Sequence, residues 1–161
     1  MTDTTRMEVQ RTIPVDPAKI FSLLADPLGH VAIDSSGMLL DAEGDPVKAV
    51  GDTFVVHMDR EALNDYPLGK YDVTVKITEF EQDCHIAWTI EGILKPQIGH
   101  VYGYTLEPTE DGTLVTSYYD WSDIDPVWKE ADIFPIMSEL ALRATLGILA
   151  RTVTRGGPGK Y

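Results

Sequence analysis

Three side chains in one short run could do acid–base chemistry: His100, Tyr102 and Tyr104. They occupy alternate positions, and alternate residues of a strand share one face. An imidazole and two phenols on one face could polarise a ketone and shuttle a proton, as aldol cyclisation or dehydration requires. The same groups could instead hydrogen-bond the single polar end of a ligand, which needs no tuned pKa. Ser117 and Tyr119 on a neighbouring strand and Arg143 on a later helix could join them. Arg143 has a plainer use, pairing with Glu139 one helical turn earlier. His30 and Asp34 form a second candidate. If their segment is helical, the four-residue spacing puts them on one face, and an Asp can orient a His as a general base. The plainer reading is a solvated helix pair or a local cap.

Other chemistries find less support. The histidines are His30, His57, His85 and His100, and no two have metal-ligand spacing. No metal and no cofactor are expected. His57 and Asp59 share a strand face, but an outer one. Cys84 precedes His85, yet adjacent strand residues point to opposite faces, so they make no dyad. No Gly-x-Ser-x-Gly elbow is present. As the lone cysteine, Cys84 forms no intrachain disulfide, which fits a reducing cytoplasm. Asp120-Trp121-Ser122 reads as an outward Asp beside a core-plugging Trp. The tail from Gly156 to Lys160 superficially resembles a phosphate loop but lacks the flanking strand, Ser/Thr and helix.

These residues need a scaffold. The chain has 161 residues, 43% of them hydrophobic, enough for one core. A single domain over residues 1–161 is expected, ordered from about 7 to 155. The excess of 26 acidic over 13 basic residues gives −13, a field that repels phosphate backbones and anionic membrane surfaces. Nucleic acid is therefore not expected as a partner. No run approaches the ~20 apolar residues of a membrane span. The polar start, residues 1–6, does not read as a signal peptide. A cytoplasmic protein is expected.

Met7 to Ile13 alternates apolar and polar residues as a strand does. Asp16-Pro17 opens a helix: the Asp should accept from free N–H groups, and the Pro suits the first turn. Ile20, Phe21, Leu23 and Leu24 form its buried face, and Asp26-Pro27 stops it. Leu28 to Ser36 reads as a second short helix or helical turns. Further strands are expected at Thr53–Asp59, Tyr71–Phe80, His85–Glu91, His100–Glu107 and Leu114–Ser122. Glu110-Asp111-Gly112 is a hairpin turn. Met38–Leu40 and Val47–Val50 are expected as short edge pieces. Asp123 to Asp132 reads as an irregular acidic connection. A long helix should then run from a first turn containing Pro135 to about Arg155. Helices segregated to one face of an antiparallel sheet make an α+β domain.

Alternation turns Phe54, Val56, Met58, Tyr71, Val73, Val75, Ile77, Ile86, Trp88, Ile90, His100, Tyr102, Tyr104, Leu106, Val115, Ser117, Tyr119 and Trp121 inward. The last helix carries a narrow polar stripe of Glu139, Arg143, Gly147 and Arg151. One apolar side holds Met137, Leu140, Ala141, Ala144 and Ile148; the other holds Leu142, Leu146, Leu149 and Val153. So wide an apolar surface must be covered on more than one side. The sheet covers one; the first helix or a second copy of the chain could cover the other. Large polar-tipped residues opposite Ala141 and Ala144 leave space for a ligand, or for an ordinary core with bridging waters.

With these elements in order, the chain resembles the START-like, Bet v 1-like (SRPBCC) superfamily, in its bacterial polyketide cyclase/dehydrase and lipid-transport branch. The resemblance runs through Val9–Val15, Asp16–Phe21, Ala25-Asp26-Pro27, the segment from His30 to Gly37 and Val50–Phe54. It continues through Thr78–Glu81, His85–Trp88, Tyr102–Pro108, Gly112–Thr116 and Tyr119–Ser122. It spans residues 8 to 155, and the order of its motifs carries it. It implies a helix-grip fold: a curved seven-stranded antiparallel sheet around the C-terminal helix, with an apolar cavity between. It does not fix the chemistry.

The expected function is binding of an apolar or aromatic small molecule, lipid or polyketide-like. Met58, Tyr71, Trp88, Tyr102, Tyr104, Tyr119, Met137, Ala141 and Ala144 are the expected ligand contacts. A metal-independent cyclase or dehydratase is the alternative, with His100, Tyr104, Tyr102, His30 and Asp34 as catalytic candidates. A homodimer through the second stripe of the last helix is compatible with either.

Overall fold

The computed structural model describes residues 4–63 and 67–155. The tail beginning at Gly156 lies outside the described residues. The elements run β1 (Arg6–Ile13), α1 (Pro17–Ala25), α2 (Pro27–Ala32), β2 (Leu39–Glu43), β3 (Thr53–Asp59), β4 (Lys70–Glu81), β5 (His85–Glu91), β6 (Val101–Thr109), β7 (Gly112–Asp120), α3 (Pro126–Ala131) and α4 (Glu139–Arg155). The strands form one antiparallel sheet in the order β1-β7-β6-β5-β4-β3-β2. Successive strands from β2 to β7 are neighbours, and β1 pairs with β7. β1 and β2 therefore lie at opposite edges, and α1 and α2 bridge between them. This is the α+β helix-grip arrangement expected.

Local chemistry explains where the elements begin and where the sequence reading goes wrong. Asp16 precedes α1, but its side chain makes no cap hydrogen bond. Pro17, with its fixed φ, starts the helix instead. The capping Asp is the next one: Asp26 Oδ1 accepts from Leu28 N at 3.0 Å and opens α2. Val47–Val50 is not a strand. Val47 is buried and its N–H donates to Ala25 O, while Lys48 and Ala49 donate to the Asp52 carboxylate. The connection after β7 is not wholly irregular either. Asp125 caps α3, whose Trp128 Nε1 donates to Pro96 O at 2.8 Å.

The long helix starts later than Pro135. Ser138 Oγ accepts from Ala141 N at 3.0 Å, so Ser138 caps α4, and Pro135 lies in the irregular stretch before it. A hydroxyl three residues ahead of a free N–H outcompetes a proline as the start signal. In β4 a bulge separates Ile77 from Glu79, which shifts the inward parity. Phe80 therefore packs edge-on against Phe21, with ring centroids 5.3 Å apart.

The two apolar sides of α4 have different partners. Leu142, Leu146, Leu149, Ala150 and Val153 are buried. The helix rests chiefly on β1 and also touches β7 and α1. Because α4 sits toward the β1 edge, it does not close over the middle of the sheet.

Candidate ligand cavity

That offset leaves a cavity of about 410 Å³ between the central strands, the α2–β2 segment and the first turns of α4. Val56, Met58, Val73, Val75, Trp88 and Ile90 form an apolar wall from β3, β4 and β5. Such a wall follows from strict alternation on strands of β-branched residues. Tyr102 and Tyr104 of β6 continue it, with rings close to parallel with Trp88 at 6.3 and 5.9 Å. Ala141 and Ala144 face them from α4, where their small side chains keep the space open, and Met137 adds to that side from just before the helix. Leu140 also lines the cavity and is 76% exposed, which marks the mouth.

The mouth has a polar rim. Asp34 lies beyond the end of α2 and ties the following turn. Its carboxylate accepts from the Ser36 N–H and hydroxyl and from the N–H groups of Gly37 and Leu39. Ser35 reaches across to α4, with its hydroxyl 2.8 Å from that of Thr145. Asp34 is therefore a local cap and does not orient His30. The plainer reading of a local cap holds, and the general-base pair that a helical spacing would have allowed does not form, because the helix ends at Ala32.

His30 has a different partner. Its Nε2–H donates to Leu24 O at 2.8 Å, across the tight α1–α2 corner. Gly29 makes that corner possible: a Cβ there would lie 1.9 Å from Leu23 O. The ring packs edge-on against Trp88 at 4.6 Å and Phe54 at 5.0 Å. Burial lowers its pKa to about 4, so it is neutral near pH 7.

Tyr102 and Tyr104 keep their protons. Burial raises both, Tyr104 to about 12 despite a hydrogen bond from Ser117. They can donate to an oxygen and cannot serve as bases near neutral pH. Among the catalytic candidates, the cavity thus brings together Tyr102, Tyr104, His30 and Asp34. His100 is not among its lining residues. It is buried with Tyr119, whose hydroxyl is 2.7 Å from His100 Nδ1, and its ring meets Phe134. Tyr119 also lies outside the lining, stacked on Trp121. Tyr71 is half-buried against the core, likewise outside the lining. Alternation places His100 and Tyr119 on the concave side, but the segment before α4 occupies the β7 end of that side, with Phe134 against His100 and the Ile136 backbone at the Tyr119 hydroxyl.

Sequence reasoning missed Ser35, Thr145 and Ile33, which also line the cavity. The hydroxyls of Ser35 and Thr145 left no periodic signal because they meet across more than a hundred residues. The remaining sequence candidates are structural. Arg143 pairs with Glu139 at 2.8 Å on an exposed face. Cys84 is exposed and free. Asp120 accepts from the Ser122 N–H and hydroxyl. His57 is on the outer face, held by the carboxylates of Asp72 at 2.7 Å and Glu43 at 2.9 Å.

A sheet gripping an off-centre helix over an apolar cavity is a recognisable combination. The family model for polyketide cyclase / dehydrase and lipid transport matches residues 4–154. The chain belongs to this family. No curated protein matches the sequence. Solved structures share the family fold at low identity. Protein CV1439 from Chromobacterium violaceum is 15% identical with a TM-score of 0.64, covering 93% of this chain and 98% of that one. The AHSA1-like protein from Aeromonas hydrophila is 17% identical with a TM-score of 0.60, covering 97% and 96%. DynU16, a putative protein in the dynemicin biosynthetic locus, is 16% identical with a TM-score of 0.62. The match covers 99% of this chain and 51% of DynU16.

Proposed function

We propose that this protein binds an apolar or aromatic small molecule between the sheet and α4. The observation that carries the reading is the cavity itself. Its volume of about 410 Å³ is in the range of small-molecule sites, and its wall is aromatic and aliphatic. Family membership supports the same reading. Native mass spectrometry of protein purified from its host tests it. A co-purifying small molecule is the expected result. An empty protein that also takes up no fluorescent aromatic or fatty-acid probe would overturn it.

A second reading, a metal-independent cyclase or dehydratase, is favoured by the protonated Tyr104 hydroxyl beside Ser117 in an apolar wall. A phenol that stays protonated can donate to a substrate carbonyl. The likeness to a protein of a biosynthetic locus supports this reading too. Tyr104→Phe should then reduce turnover of an identified substrate by tens of fold or more; unchanged turnover would end it.

The Leu142, Leu146, Leu149 and Val153 stripe of α4 is buried within the chain, so the homodimer reading rests instead on exposed Leu140 in the first turn of α4 and on exposed Ile133 and Ile136 before it. A strict monomer in sedimentation at high concentration would remove it. A cytoplasmic location is compatible with Cys84, the lone cysteine of the sequence, which is free and exposed. No helix among the described residues is long and apolar enough to cross a membrane.

A further inference from the structure

The charge and hydrogen-bonding inventory of the cavity restricts what it can hold. Among its lining residues none is Lys or Arg, and the one ionised side chain is Asp34. An anionic head group inside would be buried without a counter-charge, which is costly. Asp34 adds repulsion, because its carboxylate stands at the rim with both oxygens engaged by the loop. A fatty acid or other carboxylate is therefore a poor guest.

His30 is unlike the other polar groups of the wall. Its Nε2–H is committed to Leu24 O. A neutral imidazole carries one N–H, so Nδ1 holds a lone pair and can only accept. Among the described residues no hydrogen bond to Nδ1 accompanies that of Nε2, and Nδ1 is not one of the fully buried side-chain atoms left without a partner, so it keeps accessible surface on a residue that lines the cavity. The ring cannot easily swap tautomers, because the other form would put two lone pairs, Nε2 and the Leu24 carbonyl, 2.8 Å apart. Phe54 and Trp88 hold its plane. The cavity thus presents a fixed acceptor in an apolar wall. Tyr102 and Tyr104 are different, since a hydroxyl can donate or accept as needed.

Resting on the binding reading above, we propose that the guest is a neutral ring compound carrying a hydroxyl, and that His30 Nδ1 selects it by accepting that hydroxyl's proton in a hydrogen bond. Trp88 and Tyr102 supply flat surfaces for the ring. A guest that brings no donor leaves Nδ1 desolvated and unpaired, and that asymmetry gives the discrimination.

Calorimetric titration with four probes of one ring system tests the idea: naphthol, its methyl ether, naphthoate and naphthylmethylammonium. Naphthol should bind about tenfold tighter than its ether, the effect of one buried neutral hydrogen bond. Naphthoate should bind worst. His30→Leu should bring naphthol and ether to equal affinity, and His30→Gln, which keeps an acceptor, should restore part of the preference. Equal affinity for naphthol and ether in the unmodified protein would overturn the role of His30 while leaving the binding function standing. Tightest binding by the naphthoate or the ammonium probe would overturn the neutral-guest claim. Binding of none of the four would overturn the inference, and joined to an empty protein in mass spectrometry it would overturn the binding function too. Because the naphthol–ether comparison is made on the unmodified protein, misfolding of a variant leaves it decisive.

Discussion

Two buried neutral histidines should make this protein acid-sensitive over a defined window. Burial lowers both His30 and His100 from an ordinary 6.5 to about 4. The unfolded chain therefore takes up two protons, as the pH falls below about 6.5, that the folded chain refuses until about pH 4. Stability is intact above the ordinary value and is lost as the pH drops through that window. For one such histidine the linkage relation gives a loss of about 2 kcal/mol between about pH 7 and pH 5, so roughly 4 kcal/mol for the pair. That is a large share of a typical domain's stability, about 5–15 kcal/mol. Carboxylates titrate in the same range, so the comparison must be with variants. His100→Asn leaves an acceptor for the Tyr119 hydroxyl, and His30→Gln leaves a donor for Leu24 O. Urea unfolding at both pH values should show each variant losing about 2 kcal/mol less than the parent on acidification. Equal losses in parent and variants would refute the reasoning. So would an NMR titration placing either imidazole pKa above about 6.

Three further outcomes are expected. His57 has the opposite sign: hydrogen bonds to Asp72 and then Glu43 raise its pKa, so its contribution is full below about 6.5 and is lost as the pH rises through the raised value. His57→Gln should flatten that alkaline-side decline in melting temperature, and added salt should shrink the difference, because the site is exposed. Gly103→Ala should destabilise by about 1–3 kcal/mol in urea unfolding. A Cβ there would lie 2.2 Å from the Tyr118 ring, which covers Gly103 while its hydroxyl meets His85 at 2.6 Å. Ser138→Ala should cost about 1 kcal/mol by loss of the α4 cap. Amide exchange should then quicken in the first turn of α4 before the buried turns near Leu146.

Period-two alternation made the strands legible, because one face of each is buried and the other wet. β3 and β5 begin and end where the pattern says, and Phe54, Val56, Met58 and Trp88 are buried as it requires. Proline and aspartate marked α1 and α2, though which Asp caps was misread. Caps are settled by side-chain reach, and Asp16 and Asp26 look alike in sequence. The start of α4 was misread for the same reason: Ser138 acts through one hydrogen bond that leaves no periodic trace.

What the sequence by itself determined was a sheet of alternating strands, two short helices and a long amphipathic one, in an order that permits few packings. It also determined the acidity that disfavours anionic partners, and the polar-tipped aromatics that set the character of the wall. What only the tertiary structure decided was which inward residues face empty space and which face helix. Tyr102 and Tyr119 are cross-strand neighbours on the same face. Tyr102 lines the cavity and Tyr119 lies outside its lining. That difference arises because α4 rests on β1, a contact between chain segments far apart in sequence. His30 owes its fixed tautomer to a more local contact. Its partner is a backbone carbonyl brought within reach by Gly29 at the α1–α2 corner, a fact of packing that residue spacing does not encode.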